Sequence, residues 1–477
     1  MNPTIIVPLI VACALFMEMV DSTVIATSLP IIARDFGRDP LVLKLGLTSY
    51  LLSLAVFIPV SGWVCDRFGG RRVFRAAIGV FMVSSMLCGV AQSFGFFVAA
   101  RFLQGMGGAM MVPVGRIVIL RTVPREEFVT AIAYLTTPAM LGPVVGPPLG
   151  GLITTYLSWR WIFYLNVPMS ILGIFLAGRY MENFREPDVP RLDMRGFLLS
   201  ASGLLLAMFG LTTITDRLMP MAVSIACIAL GMLALAGYVY HARYAERPLL
   251  DLRLFRFQTY SAGLTGGTLF RVGVGSIGFM LPMLLQIGFG LSPVQSGFLT
   301  CSVAIGSVIA KPLAKPVLAL LGFRRMLAWN AVISGAWIAS FGLFRPSTHH
   351  ALIFLVLLIA GCFYSLQFTA LNAIPYAELP DSEVSQATSL YAMVQQLSLG
   401  SGVALGALAL QGSSFLQGHQ KIVTADFWPA FLLLGAIAIS AVVSAARLPA
   451  EAGALLAGRQ HAKPYEQRAA RQAAESD

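Results

Sequence analysis

Long apolar segments alternate with short polar ones along nearly the whole chain. A helix needs about 20 mostly apolar residues to cross a bilayer. By that measure, crossing segments fall at residues 6–29, 45–64, 74–94, 97–120, 130–155, 162–181, 195–214, 219–240, 260–287, 294–318, 326–344, 351–375, 385–411 and 426–447. These fourteen segments predict an all-α polytopic membrane protein. The seventh and eighth are separated only by a short turn holding Asp216, Arg217 and Pro220. No basic residue stands in Met1–Thr4 ahead of the first segment, which is therefore expected to stay as a spanning helix rather than leave as a signal peptide.

Composition agrees with lipid as the main solvent. Of the 477 residues, 57% are hydrophobic and 12% charged, with a mean hydropathy of +0.78; soluble domains carry about 25% charged residues. The net charge of +11 could suggest a nucleic-acid partner. Its placement argues otherwise, because the basic residues lie between apolar segments and not on one soluble face. With the N-terminus inside, seventeen fall in cytoplasmic loops: Arg67, Arg71, Arg72, Arg75, Arg121, Arg125, Arg179, Arg185, Arg191, Arg195, Arg243, Arg247, Arg253, Arg256, Lys315, Arg324 and Arg325. Seven fall in external loops: Arg34, Arg38, Lys44, Arg160, Arg217, Arg345 and Lys421. That asymmetry follows the positive-inside rule and predicts both termini in the cytoplasm of a bacterial-type inner membrane, with a polar tail after Arg447. The six cysteines are scattered without paired spacing, which predicts neither a disulfide framework nor a metal site. The five histidines are assigned to loops or the tail, so no buried histidine relay is expected.

Charges inside apolar segments are costly and tend to face a cavity or a partner. Glu18 and Asp21 share a face of the first segment, three residues apart. Arg101 lies in the fourth, ahead of Gly105, Gly107, Gly108 and Ala109, small residues that permit close helix approach. An Arg at similar depth can offset Asp21, and protonating Asp21 would free it, so the three residues form a candidate proton-coupling set. In the fifth segment Gly142, Gly146 and Gly150 form one ridge, interleaved with Pro143, Pro147 and Pro148, which are expected to kink the helix. After the second segment, Gly62, Asp66, Arg67, Gly69, Gly70, Arg71 and Arg72 make a tight charged turn. Gly322, Arg324 and Arg325 repeat its outline faintly after the tenth, without the acid. Repeated halves suggest two bundles rocking about a central site.

These motifs together resemble the major facilitator superfamily, in its fourteen-helix drug:proton antiporter branch. Asp21–Pro30, Gly62–Arg72, Arg101–Gly108, Gly142–Gly151 and Ser158–Pro168 carry the likeness densely in the first half. The second half is similar mainly in hydropathy and in Leu250, Leu252, Leu254 and Phe255. Within the branch, Gly107–Arg116 and Val123–Glu126 most resemble the MdtD-type multidrug-resistance proteins. The resemblance implies a six-helix bundle at 1–192, two linker helices at 193–242, a second bundle at 243–447 and a tail at 448–477. It implies alternating access, with Asp21 as proton carrier and Arg101 as its modulator. Gly62, Asp66, Arg67, Gly69, Arg71, Arg72 and the ridge with Pro143 would act in the conformational gate. Asp66 would brace the closed state against the start of the thirteenth segment, near Ser382 and Glu383. Gly69–Gly70 departs from the Gly-Arg of many relatives.

Arg116, Arg271 and Lys311 are further basic residues in apolar segments, and Gln286, Gln367, Asn372 and Gln395 add neutral polar groups. All seven are candidates for a substrate cavity. Because bases outnumber the two acids, an anionic metabolite is as reasonable a cargo as a cationic drug, with Arg271 supplying the countercharge. An ATP pump is not encoded, since no Gly-Lys dipeptide exists for a phosphate loop. Gly273, Gly275 and Gly278 match a dinucleotide fingerprint in letters only, within a spanning segment. No cofactor, metal or catalytic cluster is indicated, so the chain is not expected to be an enzyme; nor does anything indicate a periplasmic adaptor. Protons, a small molecule and lipid are the expected partners. A proton-coupled importer is the main alternative, and a non-transporting sensor a more distant one.

Overall fold

The structure is a computed structural model; it describes residues 3–123, 127–186, 189, 191–214, 219–380, 383–419, 421–454 and 456. Arg125, Glu126, Asp216, Arg217, Ser382, His461 and most of the polar tail lie outside the described residues. Helices account for nearly all of the rest, and two compact units emerge: Met1–Leu249 with Leu291–Cys301, and Leu250–Gly290 with Ser302–Asp477.

The first unit holds α1 (Pro3–Asp35), α2 (Lys44–Phe68), α3 (Gly70–Gly89), α4 (Phe94–Thr122), α5 (Phe128–Tyr156), α6 (Trp161–Tyr164), α7 (Asn166–Tyr180), α8 (Met194–Thr213) and α9 (Met221–Tyr244). Its closest pairings are α1 with α5, α4 with both α2 and α3, and α8 with α9. Glycines explain the closeness. A Cβ on Gly105 would lie 2.5 Å from the Tyr50 carbonyl, and one on Gly107 2.8 Å from the Phe81 nitrogen, so α4 meets α2 and α3 backbone to backbone. Without a hydrophobic drive between helices in lipid, such close packing is the main source of cohesion.

Asp193 organises the α8–α9 pair. Its carboxylate accepts from the Gly196 amide at 2.9 Å, pairs with His241 at 2.8 Å, and accepts from the Leu249 amide at 3.3 Å. Burial raises the Asp193 pKa, but the bonds from Gly196, His241 and Leu249 outweigh it and hold the carboxyl below its ordinary value. His241 therefore sits in the last turn of a helix, not in a loop as expected, because its ring reaches back to this carboxylate. Lys44, counted above as an external loop residue, is the first residue of α2 and is fully buried.

In the second unit, α10 (Gln258–Met283) packs on α14 (Val384–Leu416) and α15 (Thr424–Ala446). The helix α12 (Ala314–Ser340) packs on α15 and α13 (His350–Ala373), and α11 (Pro293–Ala310) begins in one unit and ends in the other. Twelve stretches of the described residues are long and apolar enough to cross a membrane. One of them, Pro293–Leu343, is 51 residues long and carries both α11 and α12. The faint repeat has a backbone counterpart. Gly69 (φ 94°) and Gly322 (φ 74°) each break a helix in the left-handed region shortly before Arg-Arg, a conformation glycine adopts without steric cost.

Candidate functional site

Asp21 sits on α1, opposite the glycine ridge of α5. A Cβ on Gly142 would stand 2.6 Å from the Met19 Cβ, one on Gly146 2.0 Å from the Thr23 hydroxyl, and one on Gly150 2.5 Å from the Val24 carbonyl. The ridge predicted from sequence thus receives α1, and Pro138, Pro143, Pro147 and Pro148 all lie inside the one helix α5. Ser28 and Thr154 hydrogen-bond between the same two helices at 2.6 Å. With one side of α1 fixed this closely, its polar side is aimed at α4.

There, Arg101 donates to Asp21 at 2.6 Å, and both side chains are wholly buried. Gln104 and Asn166 donate to the other carboxylate oxygen at 2.9 and 2.8 Å, and each also donates to Ser85, at 3.0 and 2.9 Å. The guanidinium further donates to the Gly46 carbonyl at 3.2 Å and to the Gln104 side-chain oxygen, and lies 4.5 Å over the Tyr50 ring. Helices α4 and α7 thus donate directly to the Asp21 carboxylate of α1, and α2 and α3 join the same network through Arg101, Gln104 and Asn166. The two charges compensate each other, although Arg101 Nη2 finds no partner among the described residues; removing one charge leaves the other buried and uncompensated, at about 3–5 kcal/mol.

Glu18 is one turn away and also buried, but its Oε2 has no hydrogen-bond partner among the described residues. The Tyr50 hydroxyl is likewise unsatisfied, and both border the space above Gly108. The sequence called for an acid pair on one face; the structure divides it into one carboxylate ion-paired to Arg101 and one without such a partner.

The charged turn after α2 is tied to the end of α4 and to the chain after α7. Asp66 pairs with Arg121 at the end of α4 at 3.0 Å, not with the arginines of its own turn, and Arg121 also meets Glu186 at 2.9 Å. The Glu186 amide donates to the Asp66 carbonyl at 3.1 Å, and Arg71 reaches the Met181 carbonyl at 3.5 Å. A Cβ on Gly69 would lie 2.5 Å from Asn183, so the strand of chain after α7 closes over this glycine. Gly62 has open space around it.

In the second unit Arg271 is fully buried, hydrogen-bonded to Tyr391 and, at 3.3 Å, to Asn372, and lies 5.9 Å from the Phe368 ring centre. Its Nε and Nη1 have no hydrogen-bond partner among the described residues. Of the residues proposed for a cavity, Arg271 and Asn372 are thus in direct contact. Gln367 is buried between Asn330 (3.1 Å) and the Leu327 carbonyl (3.2 Å), a helix-to-helix bond. Lys311 is exposed in a 3-10 turn, and Gln286 and Gln395 are half-buried. Arg116 is exposed on α4 of the first unit.

The sequence profile of the Major Facilitator Superfamily matches residues 11–194 and 263–472. The chain belongs to that superfamily. Major facilitator proteins are multi-pass membrane transporters, not enzymes. Among relatives, "Putative multidrug resistance protein MdtD" of Serratia proteamaculans is 38% identical, over 87% of this chain and 86% of the relative. The protein of the same name from Escherichia coli strain 55989 is 37% identical, over 92% and 94%. The POT family transporter PepTSo shares the fold, with a TM-score of 0.66 and 12% identity over 95% of this chain and 98% of that one. The human organic anion transporter MFSD10 gives 0.62 and 13%, over 93% and 100%.

Gln104, Asn166, Ser85 and Tyr50 were not singled out from sequence, although they complete the Asp21 site. Gln104 carried a signal, lying three residues past Arg101 and so on the same helix face. Asn166 lay within the Ser158–Pro168 stretch that carries the family resemblance, whereas Ser85 and Tyr50 carried no signal, because one neutral polar residue in an apolar segment is ordinary.

Proposed function

We propose that this major facilitator protein is a proton-coupled exporter of small molecules that works by alternating access, in a bacterial-type inner membrane with both termini cytoplasmic. It crosses the membrane fourteen times, counting α11 and α12 separately and including α5. Two six-helix bundles do the rocking, with α8 and α9 inserted between them. The reading rests chiefly on the buried Asp21–Arg101 pair and its five-helix setting.

Protonating Asp21 removes the charge that holds Arg101 and leaves a buried guanidinium without its counter-ion. The resulting change of about 3–5 kcal/mol, roughly two to nearly four orders of magnitude in an equilibrium, approaches at its upper end the roughly 5.5 kcal/mol needed to move a two-state equilibrium from 1:99 to 99:1. The proton is thereby able to choose the conformation. Glu18, one turn away with an unpartnered oxygen, is the second proton site. The Asp66 turn and the α5 ridge form the gate, Asp66 switching between Arg121 and the start of α14. Arg271, with two unpartnered guanidinium nitrogens, receives an anionic or carboxylate group of the cargo.

Everted membrane vesicles test the reading with a panel of radiolabelled cationic drugs and aromatic carboxylates. Uptake of at least one compound, driven by an inside-acid gradient and abolished by collapsing it, is the expected result. Uptake driven by the opposite gradient would establish an importer instead.

A further inference from the structure

We propose that the first unit carries a binding site for an anionic phospholipid, separate from the transport site and formed where α8 docks beside α2, α3 and α4. A cavity of about 720 Å³ lies along these four helices, within one unit. That volume is in the range of small-molecule pockets, roughly 300–1,000 Å³. Its walls are apolar for most of their length, Val64, Met106, Met110 and Phe197 among them. Phe197, in the first turn of α8, closes one side and meets Phe57 with ring centres 6.1 Å apart.

One end is different. Arg67, Arg72 and Arg185 line it, all three are exposed, and none forms an ion pair with a described carboxylate. The nearby acids are already engaged, since Asp66 and Glu186 both pair with Arg121. Arg71, by contrast, turns away to the Met181 carbonyl. Three guanidinium groups at the mouth of an apolar groove match an amphiphile with a phosphate head and a hydrocarbon tail. Arginine forks suit phosphate oxygens, and basic pockets between spanning helices are where such head groups bind. From Arg72 to Val80, α3 runs eight residues, about 12 Å along its axis, which accommodates the upper part of an acyl chain beside the helices. The two ends of the site thus read one molecule, a phosphate at the helix ends and an alkyl chain within the span.

The test is native mass spectrometry of the delipidated full-length protein titrated with phosphatidylglycerol or phosphatidylcholine of the same acyl chains. Phosphatidylglycerol is expected to bind tighter by at least tenfold. Replacing all three arginines (R67Q/R72Q/R185Q) is expected to weaken it on the order of 100-fold, at about fivefold for each charge near the surface. A76W, which fills the groove from α3 at an exposed position and keeps the arginines, is expected to weaken both lipids. Glycerol phosphate in excess should not displace the lipid. Equal binding of the two lipids, unchanged phosphatidylglycerol binding in the triple variant, unchanged binding in A76W, or displacement by glycerol phosphate would each overturn the proposal.

Discussion

Arg101→Ala offers the sharpest energetic test of the buried pair. The substitution removes the 2.6 Å ion pair to Asp21, the bond to the Gly46 carbonyl and the stacking over Tyr50. Asp21 keeps Gln104 and Asn166 as donors, so its charge is solvated in part and not abandoned. Breaking a buried pair from one side costs about 3–5 kcal/mol. At roughly 2–4 °C per kcal/mol for a unit of this size, the melting temperature should fall by about 6–20 °C. The second arm is the informative one. Adding Asp21→Asn to Arg101→Ala removes the stranded charge, and replacing both members of such a pair is often near neutral. The double variant should therefore recover at least half of the loss, a coupling that independent sites do not show. The assay is thermal unfolding of the purified protein in detergent, followed by tryptophan fluorescence and by the monodisperse peak on size exclusion. A shift under about 2 °C for Arg101→Ala, or a double variant less stable than the single, would refute the reasoning.

Other outcomes follow from the same geometry. Gly150→Ala places a Cβ 2.5 Å from the Val24 carbonyl and should destabilise by about 1–3 kcal/mol through overpacking, whereas Gly79→Ala meets nothing within 4 Å and should be neutral or slightly stabilising in the same melt. Asp193→Ala should cost about 1–2 kcal/mol at pH 7 through loss of the α8 cap. Because the folded carboxyl is held below its ordinary value of 3.8, that deficit should persist above about pH 4 and fade as pH drops through the folded value; melts across pH 3–7 check it. Gln367→Ala should lower stability by about 1–3 kcal/mol by leaving Asn330 short of a partner, without changing which compounds are carried. Arg271→Ala should do the reverse, abolishing vesicle uptake of carboxylates while cation transport continues.

Much of this was legible in the sequence because lipid penalises irregularity. Segment positions followed from hydropathy, and an acid in one segment with an arginine in another advertised a pair that no apolar setting tolerates unmatched. The α5 ridge was visible as a four-residue glycine period, although its partner helix was not, since a ridge says only that something approaches. Partners set by tertiary placement stayed hidden. Asp66 stood beside Arg67, Arg71 and Arg72 in the chain, yet Arg121, 55 residues away, reaches it. His241 looked like a loop residue until Asp193 fixed it to the end of α9. Gln367 and Arg271 looked alike from sequence, as polar residues in apolar segments, yet Gln367 faces Asn330 while Arg271 turns to Asn372 and Tyr391. Neutral polar residues in helices serve packing and function alike, and only contact tells them apart.

The central claim is that Asp21 carries the exported molecule's counter-proton. Its most direct test is proton return in everted vesicles, read by acridine orange dequenching when a transported compound is added to an acid-loaded lumen. The wild-type chain should dequench in proportion to transport, and Asp21→Asn should lose that response while remaining folded and membrane-inserted. Equal dequenching in Asp21→Asn would contradict the account.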